Sequence, residues 1–155
     1  MSTEPATAVD ADVLMSLSGL ELLRLGLTDA PRPPSIGQLL GMRLADVEYG
    51  SVTFELTTQP LFSNPLGTVH GGIAATMLDS AMGCAVHTTL EAGAWYATLE
   101  LKVNYIKAAS VQGQTLIATG QTIHVGRSTA TAEGRVVDSE GNLIAHGTTT
   151  CLIRR

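Results

Sequence analysis

The chain has 155 residues, enough for one ordinary domain with a real hydrophobic core, and 45% hydrophobic against 15% charged residues excludes disorder over most of its length. A net charge of -5 without a Lys/Arg cluster leaves no electrostatic footprint for nucleic acid or an anionic membrane surface. Cys84 and Cys151 are far apart, the four histidines are scattered, and neither a disulfide framework nor a metal site is expected.

Residues 1–9 read as a loose acidic tail with no secretory or Arg-rich leader pattern and no run of membrane-spanning length, so a cytoplasmic location is expected. Val13, Leu14, Leu17, Leu20 and Leu25 then recur at helical spacing behind Asp10 or Asp12 as a cap, predicting an N-terminal helix. The prolines of "TDAPRPPS" end it, giving a leading segment over 1–35 and a main domain over 36–155.

Val52, Phe54 and Leu56 alternate with Ser51, Thr53 and Glu55, predicting a hairpin around Tyr49-Gly50. From Gly72 to about Leu90, apolar residues cover nearly every face, as in a helix buried all round. Beyond Gly93 the period becomes two, with Ala97, Leu99, Leu101, Val103 and Tyr105 on one side and Thr98, Glu100, Lys102 and Asn104 on the other. Three further strands follow, broken at Gly126-Arg127 and at the "DSEGN" turn. This order predicts an α+β fold in which one antiparallel sheet wraps one central helix, with an extra N-terminal helix.

The chemistry concentrates in "NPLGTVHGGIAATMLDS", residues 64–80. Asn64-Pro65-Leu66-Gly67 fits a β-turn. Gly71 and Gly72 open the central helix, where unpartnered N–H groups and the helix dipole favour an oxyanion and the missing side chains admit a carbonyl. Asp79 is a carboxylate on an otherwise apolar helix and must be paired, neutralised or used. Eight residues separate Gly71 from Asp79, ~12 Å along one helix axis, so if both serve one reacting carbon a second chain supplies one of them.

"NPLGTVHGGIAATMLDSAMG", "TLELKVNYIKAA" and "HVGRS" together resemble the hotdog-fold thioesterases of the phenylacetate-pathway (PaaI-like) type over roughly residues 36–153. The resemblance implies hydrolysis of acyl-CoA thioesters at the interface of a homodimer, with dimers paired into a homotetramer and no cofactor, CoA being part of the substrate. It further implies that Asn64 positions water or the thioester, Gly71 donates to the oxyanion, Asp79 is base or nucleophile, and Thr98 helps hold the attacking water. His70 fixes its loop or acts as an acid. Gly72, Arg127, Ser128 and Lys107 are candidates for binding substrate or CoA, and Met77, Met82 and Trp95 for pocket walls. Two other activities suit the same fold, a non-catalytic acyl-CoA sensor and a hydratase or dehydratase acting on thioesters without cleaving them.

Overall fold

The structure, a computed structural model, describes residues 11–28 and 34–155. The expected tail over 1–9 and most of the proline-rich connector lie outside these.

The single N-terminal helix is in fact two, α1 (Ala11–Ser16) and α2 (Gly19–Leu25). Ser18 is the cause. Its hydroxyl caps the Glu21 N–H while the Glu21 carboxylate takes the Ser18 N–H at 2.8 Å, a reciprocal capping box that starts a new helix. α2 is then tied to the core by the Gly19 N–H, which donates to the Leu90 carbonyl at 3.0 Å. A third short helix, α3 (Ile36–Leu40), is absent from the sequence reading, although Ser35 caps the Gln38 N–H and Gly41 ends it in the left-handed conformation.

β1 (Arg43–Glu48) and β2 (Ser51–Thr57) form the expected hairpin, with Gly50 at φ 76° in its turn. A 3₁₀ turn (Pro60–Phe62) and an irregular loop lead to the central helix α4 (Gly71–His87). β3 (Trp95–Tyr105), β4 (Thr115–Val125), β5 (Thr129–Asp138) and β6 (Leu143–Arg154) complete one six-stranded antiparallel sheet in the order β1-β2-β4-β5-β6-β3. The sheet curls around α4 in the hotdog arrangement, and Leu78, Met82, Leu116, Ala132 and Val136 fill the space between them. Among the described residues, no helix is long and apolar enough to cross a membrane.

Helix and sheet meet backbone to backbone. Gly120 and Gly134 are register partners on β4 and β5, and a Cβ added to Gly120 would lie 2.4 Å from the Ala81 carbonyl carbon. Any larger residue there would lift α4 off the sheet.

Two expectations are corrected. α4 is not buried all round: Ala74, Met77, Leu78, Ala81, Met82 and Ala85 are buried, whereas Thr76, Asp79, Ser80, Cys84 and His87 form a half-buried stripe. The sheet of one chain covers one side of the helix, and the small apolar residues elsewhere on α4 hid that asymmetry from the periodicity. The uniform alternation along β3 also fails. Thr98 pairs with Cys151 and Glu100 with Thr150, so Leu99 is an extra residue in a β-bulge. Thr98 faces α4 before the bulge, and Leu101 and Val103 face the core after it.

Candidate active site

The loop before α4 is built from its own polar groups. Gly67 closes the predicted turn by donating to the Asn64 carbonyl at 3.0 Å, with φ at 79°. The Asn64 side-chain oxygen accepts from the Leu66 and Thr68 N–H groups, and its Nδ2 donates to Thr68 Oγ1 at 2.9 Å. Both lone pairs of that oxygen are therefore engaged, and the second Nδ2–H is what Asn64 has left to offer. His70 follows as the N-cap of α4, its Nδ1 accepting the Gly72 N–H at 2.9 Å. An accepting Nδ1 puts the proton of the neutral ring on Nε2, where it is a donor.

The two glycines consequently differ. The N–H of Gly72 is spent on His70, whereas that of Gly71, first residue of the helix, has no acceptor among the described residues. Gly71 borders a cavity of about 370 Å³ whose walls include Asn64, His70, Tyr105, Lys107 and Ile144. The Tyr105 ring lies over Gly71, since a Cβ added there would be 3.0 Å from two of its ring carbons. A free N–H at the positive end of a 17-residue helix, in a cavity, is suited to a developing oxyanion. Gly72 lies instead on the rim of a second, mainly apolar depression with Ile36, Leu39, Leu61 and Ile73.

Asp79 lies outside this cavity, two turns further along the continuous helix. Its Oδ1 accepts the Thr98 hydroxyl at 2.8 Å, which leaves Oδ2 open, while the Thr98 oxygen is shared with the Cys151 thiol and keeps one lone pair. By contrast, Asp138 is held in a dense bonding network and has a structural task. Its carboxylate takes the Glu140 and Asn142 N–H groups and the Asn142 and Gln114 side-chain amides, and the Asn142 bonds hold its pKa below the ordinary carboxylate range. Asp79 has no such set of partners.

Nearby thiols are unsuited to act as nucleophiles. Burial pushes the Cys84 thiol up to about 12, outweighing its hydrogen bond with Tyr96, and Asp79 adds to the rise. Burial raises Cys151 in the same direction. Met77 and Met82, candidates for pocket walls, are fully buried in the core, while Trp95 is exposed.

The candidate cations sit at opposite ends of β6. Lys107 borders the Gly71 cavity and its N–H donates to the Ile144 carbonyl at the start of the strand. Arg127 and Ser128 form the β4–β5 turn beside its end, where the Ser128 carbonyl accepts from Ile153 and the Arg127 carbonyl from the Arg155 guanidinium. Arg154 and Arg155, which the sequence reading did not single out, thereby join Arg127 at one end of an acidic protein.

The family model described as thioesterase superfamily matches residues 66–145. The chain is 25% identical over 118 residues to the 1,4-dihydroxy-2-naphthoyl-CoA hydrolase of Listeria monocytogenes, spanning 76% of this chain and 94% of that protein. It is 29% identical over 105 residues to acyl-coenzyme A thioesterase 13 of Homo sapiens, spanning 67% and 74%. A solved structure of a phenylacetic acid degradation-related protein from Ralstonia eutropha JMP134 superposes with a TM-score of 0.74 at 30% identity, over 84% of this chain and 97% of that one. With the matched family model spanning more than half of the chain, including the central helix and strands β3 to β5, the chain belongs to the thioesterase superfamily, as a hotdog-fold thioester hydrolase of the PaaI-like kind.

Proposed function

We propose that the protein hydrolyses acyl-CoA thioesters to a carboxylic acid and free CoA at sites shared by two subunits. The observation that carries this reading is the separation of two half-sites on one helix: the free Gly71 N–H at its start, and the Asp79–Thr98 pair eight residues on, ~12 Å away along the axis. Neither half suffices alone.

The sheet supplies the symmetry that would unite them. β3 is an edge strand, Thr98 on it is bonded to Asp79, and Tyr105 on it packs against Gly71. Counted along the ladder with β6, where Leu99 is the extra residue, Thr98 and Tyr105 lie equally far on either side of Lys102, the partner of Thr148. A two-fold axis there, pairing β3 antiparallel with a second β3, sets Asp79 of each subunit beside Gly71 of the other. The half-buried stripe of α4 would meet its counterpart in the same assembly.

In such a site the thioester carbonyl accepts the Gly71 N–H, with the Nε2–H of His70 and the spare Nδ2–H of Asn64 as further donors. A water is held by Oδ2 of Asp79 and the oxygen of Thr98. As it attacks, Asp79 takes its proton, and the tetrahedral oxyanion rests on the helix N-terminus. Collapse breaks the C–S bond, and the proton returns from Asp79 to the departing CoA sulfur. If Asp79 instead attacks the carbonyl itself, the C–S bond breaks, the CoA thiolate leaves and takes a proton from solvent, and water then cleaves the mixed anhydride to the acid and free Asp79. In single turnover in oxygen-18 water, cleavage of the anhydride at the aspartyl carbon leaves label in Asp79, and its appearance there rules out simple base catalysis. Lys107 and the Arg127–Arg154–Arg155 group would attract the phosphates of CoA.

The test is Asp79→Asn, assayed by release of free thiol across short, long and aromatic acyl-CoAs. Turnover should vanish while the subunit count by light scattering stays that of the parent. Retained hydrolysis would refute the assignment, and no thiol release from any acyl-CoA by the parent would favour a sensor.

A further inference from the structure

The bulge at Leu99 changes which side chains β3 presents to α4. Tyr96 reaches α4 at Gly83, and Thr98 reaches Asp79. After the extra residue, it is Leu101, Val103 and Tyr105 that face the helix and core. In a regular strand these two sets occupy opposite faces. Without the bulge, Thr98 would point away from Asp79 whenever Tyr105 lay on Gly71, so one inserted residue lets the same strand serve both half-sites.

An inserted residue interrupts the ladder, and its neighbours need other partners. Two adjacent threonines of β6 hold Glu100, the residue that follows the bulge. Thr149, 1% exposed, donates its hydroxyl to the Glu100 carbonyl at 2.7 Å. Thr150, on the other face, donates to the Glu100 carboxylate at 3.0 Å. Thr150 is solvent-accessible and its bond is replaceable by water. Thr149 is buried, and no solvent can take over its bond.

We propose that Thr149 is a positioning residue: by holding the Glu100 carbonyl it fixes the Leu99 bulge, which turns the Thr98 hydroxyl onto Asp79. It touches neither the substrate nor the reacting atoms in the reading above. The inference rests on Asp79 and Thr98 acting on the attacking water, and it predicts a kinetic signature that a purely structural threonine lacks. Loosening the bulge misdirects the water and leaves the distant Lys107 and arginine contacts intact.

The test compares Thr149→Val, Thr149→Ser and Thr150→Val by steady-state kinetics of thiol release and thermal melting. Thr149→Val keeps the volume and deletes the hydroxyl. It should lower kcat roughly tenfold, the worth of about one hydrogen bond, with KM changed by less than about twofold. Thr149→Ser, which restores the donor, should recover most of kcat, and Thr150→Val should behave as the parent. If Thr149→Val does not fold, Thr149→Ala carries the same comparison. Parental kcat in a folded Thr149→Val or Thr149→Ala protein would overturn the proposal, as would a loss in kcat that Thr149→Ser fails to rescue. An active Asp79→Asn protein would overturn the site reading instead, so the two failures are separable.

Discussion

Gly71→Pro isolates the oxyanion donor. Proline has no N–H, and the first helical position tolerates it because that N–H has no intrahelical partner. His70 is already at φ -61° and ψ 133°, the extended backbone a following proline requires. The added ring meets the Tyr105 side chain at 3.0 Å from the new Cβ, and Tyr105 is 57% exposed, with room to move aside. The fold should therefore persist, with a melting temperature within a few degrees of the parent. Loss of one such donor costs about 10²- to 10³-fold in kcat, roughly 2.7–4 kcal/mol. The assay is thiol release from acyl-CoA, and a kcat within threefold of the parent would refute the role of Gly71. The same variant tests the shared site. Mixed with Asp79→Asn and reassociated, half of the dimers pair one chain of each kind, and each mixed dimer holds one intact site of two. Two inactive proteins should together give about a quarter of parental activity. Inactive mixed dimers, isolated through different affinity tags, would refute the two-chain site.

The remaining predictions concern charge. Arg127→Ala and Arg154→Ala should each raise KM for acyl-CoA by roughly 1.5- to fivefold, the worth of an exposed charge contact. They should leave hydrolysis of an acyl-pantetheine, which lacks the nucleotide phosphates, unchanged; an equal loss on both substrates would refute phosphate binding. Burial holds the His87 imidazole below its ordinary value of 6.5, so the fold keeps it neutral while the unfolded chain takes up a proton. Between that value and the lower folded one, unfolding binds a proton, and stability should fall as pH is lowered from 7 towards 5. Urea titrations across that range check this, and His87→Gln should flatten the slope.

Legibility followed the range of the interactions concerned. α4 and the strands rest on periodicity within one element, and the pattern disclosed them. α3 was missed although its signals are local: Ser35 stands three residues before Gln38, and Gly41 closes the helix. The split at Ser18 lay under a leucine pattern continuous enough to mask the cap. The bulge is a different case. Leu99 fits the alternation as well as its neighbours do, and the bulge is met by a Thr149 hydroxyl on the Glu100 carbonyl from fifty residues downstream. Within the candidate site, Asn64, Gly71 and Asp79 share one short stretch and were readable together. The Asp79–Thr98 bond, the Tyr105 ring over Gly71 and the gathering of Arg154 and Arg155 beside Arg127 arise from tertiary packing, and spacing along the chain carries no trace of them.

The contact between Gly120 and Ala81 bears on how such a site diversifies. Asp79 stands two residues before the point where α4 touches the sheet backbone directly. Its height above the sheet is set by main chain on main chain, so repacking side chains in the core does not raise or lower it. The carboxylate therefore stays in register with the sheet while other residues change. Substitutions at exposed positions such as Leu39, Leu61 and Leu66 leave untouched a seat at Gly120 that tolerates no side chain larger than hydrogen.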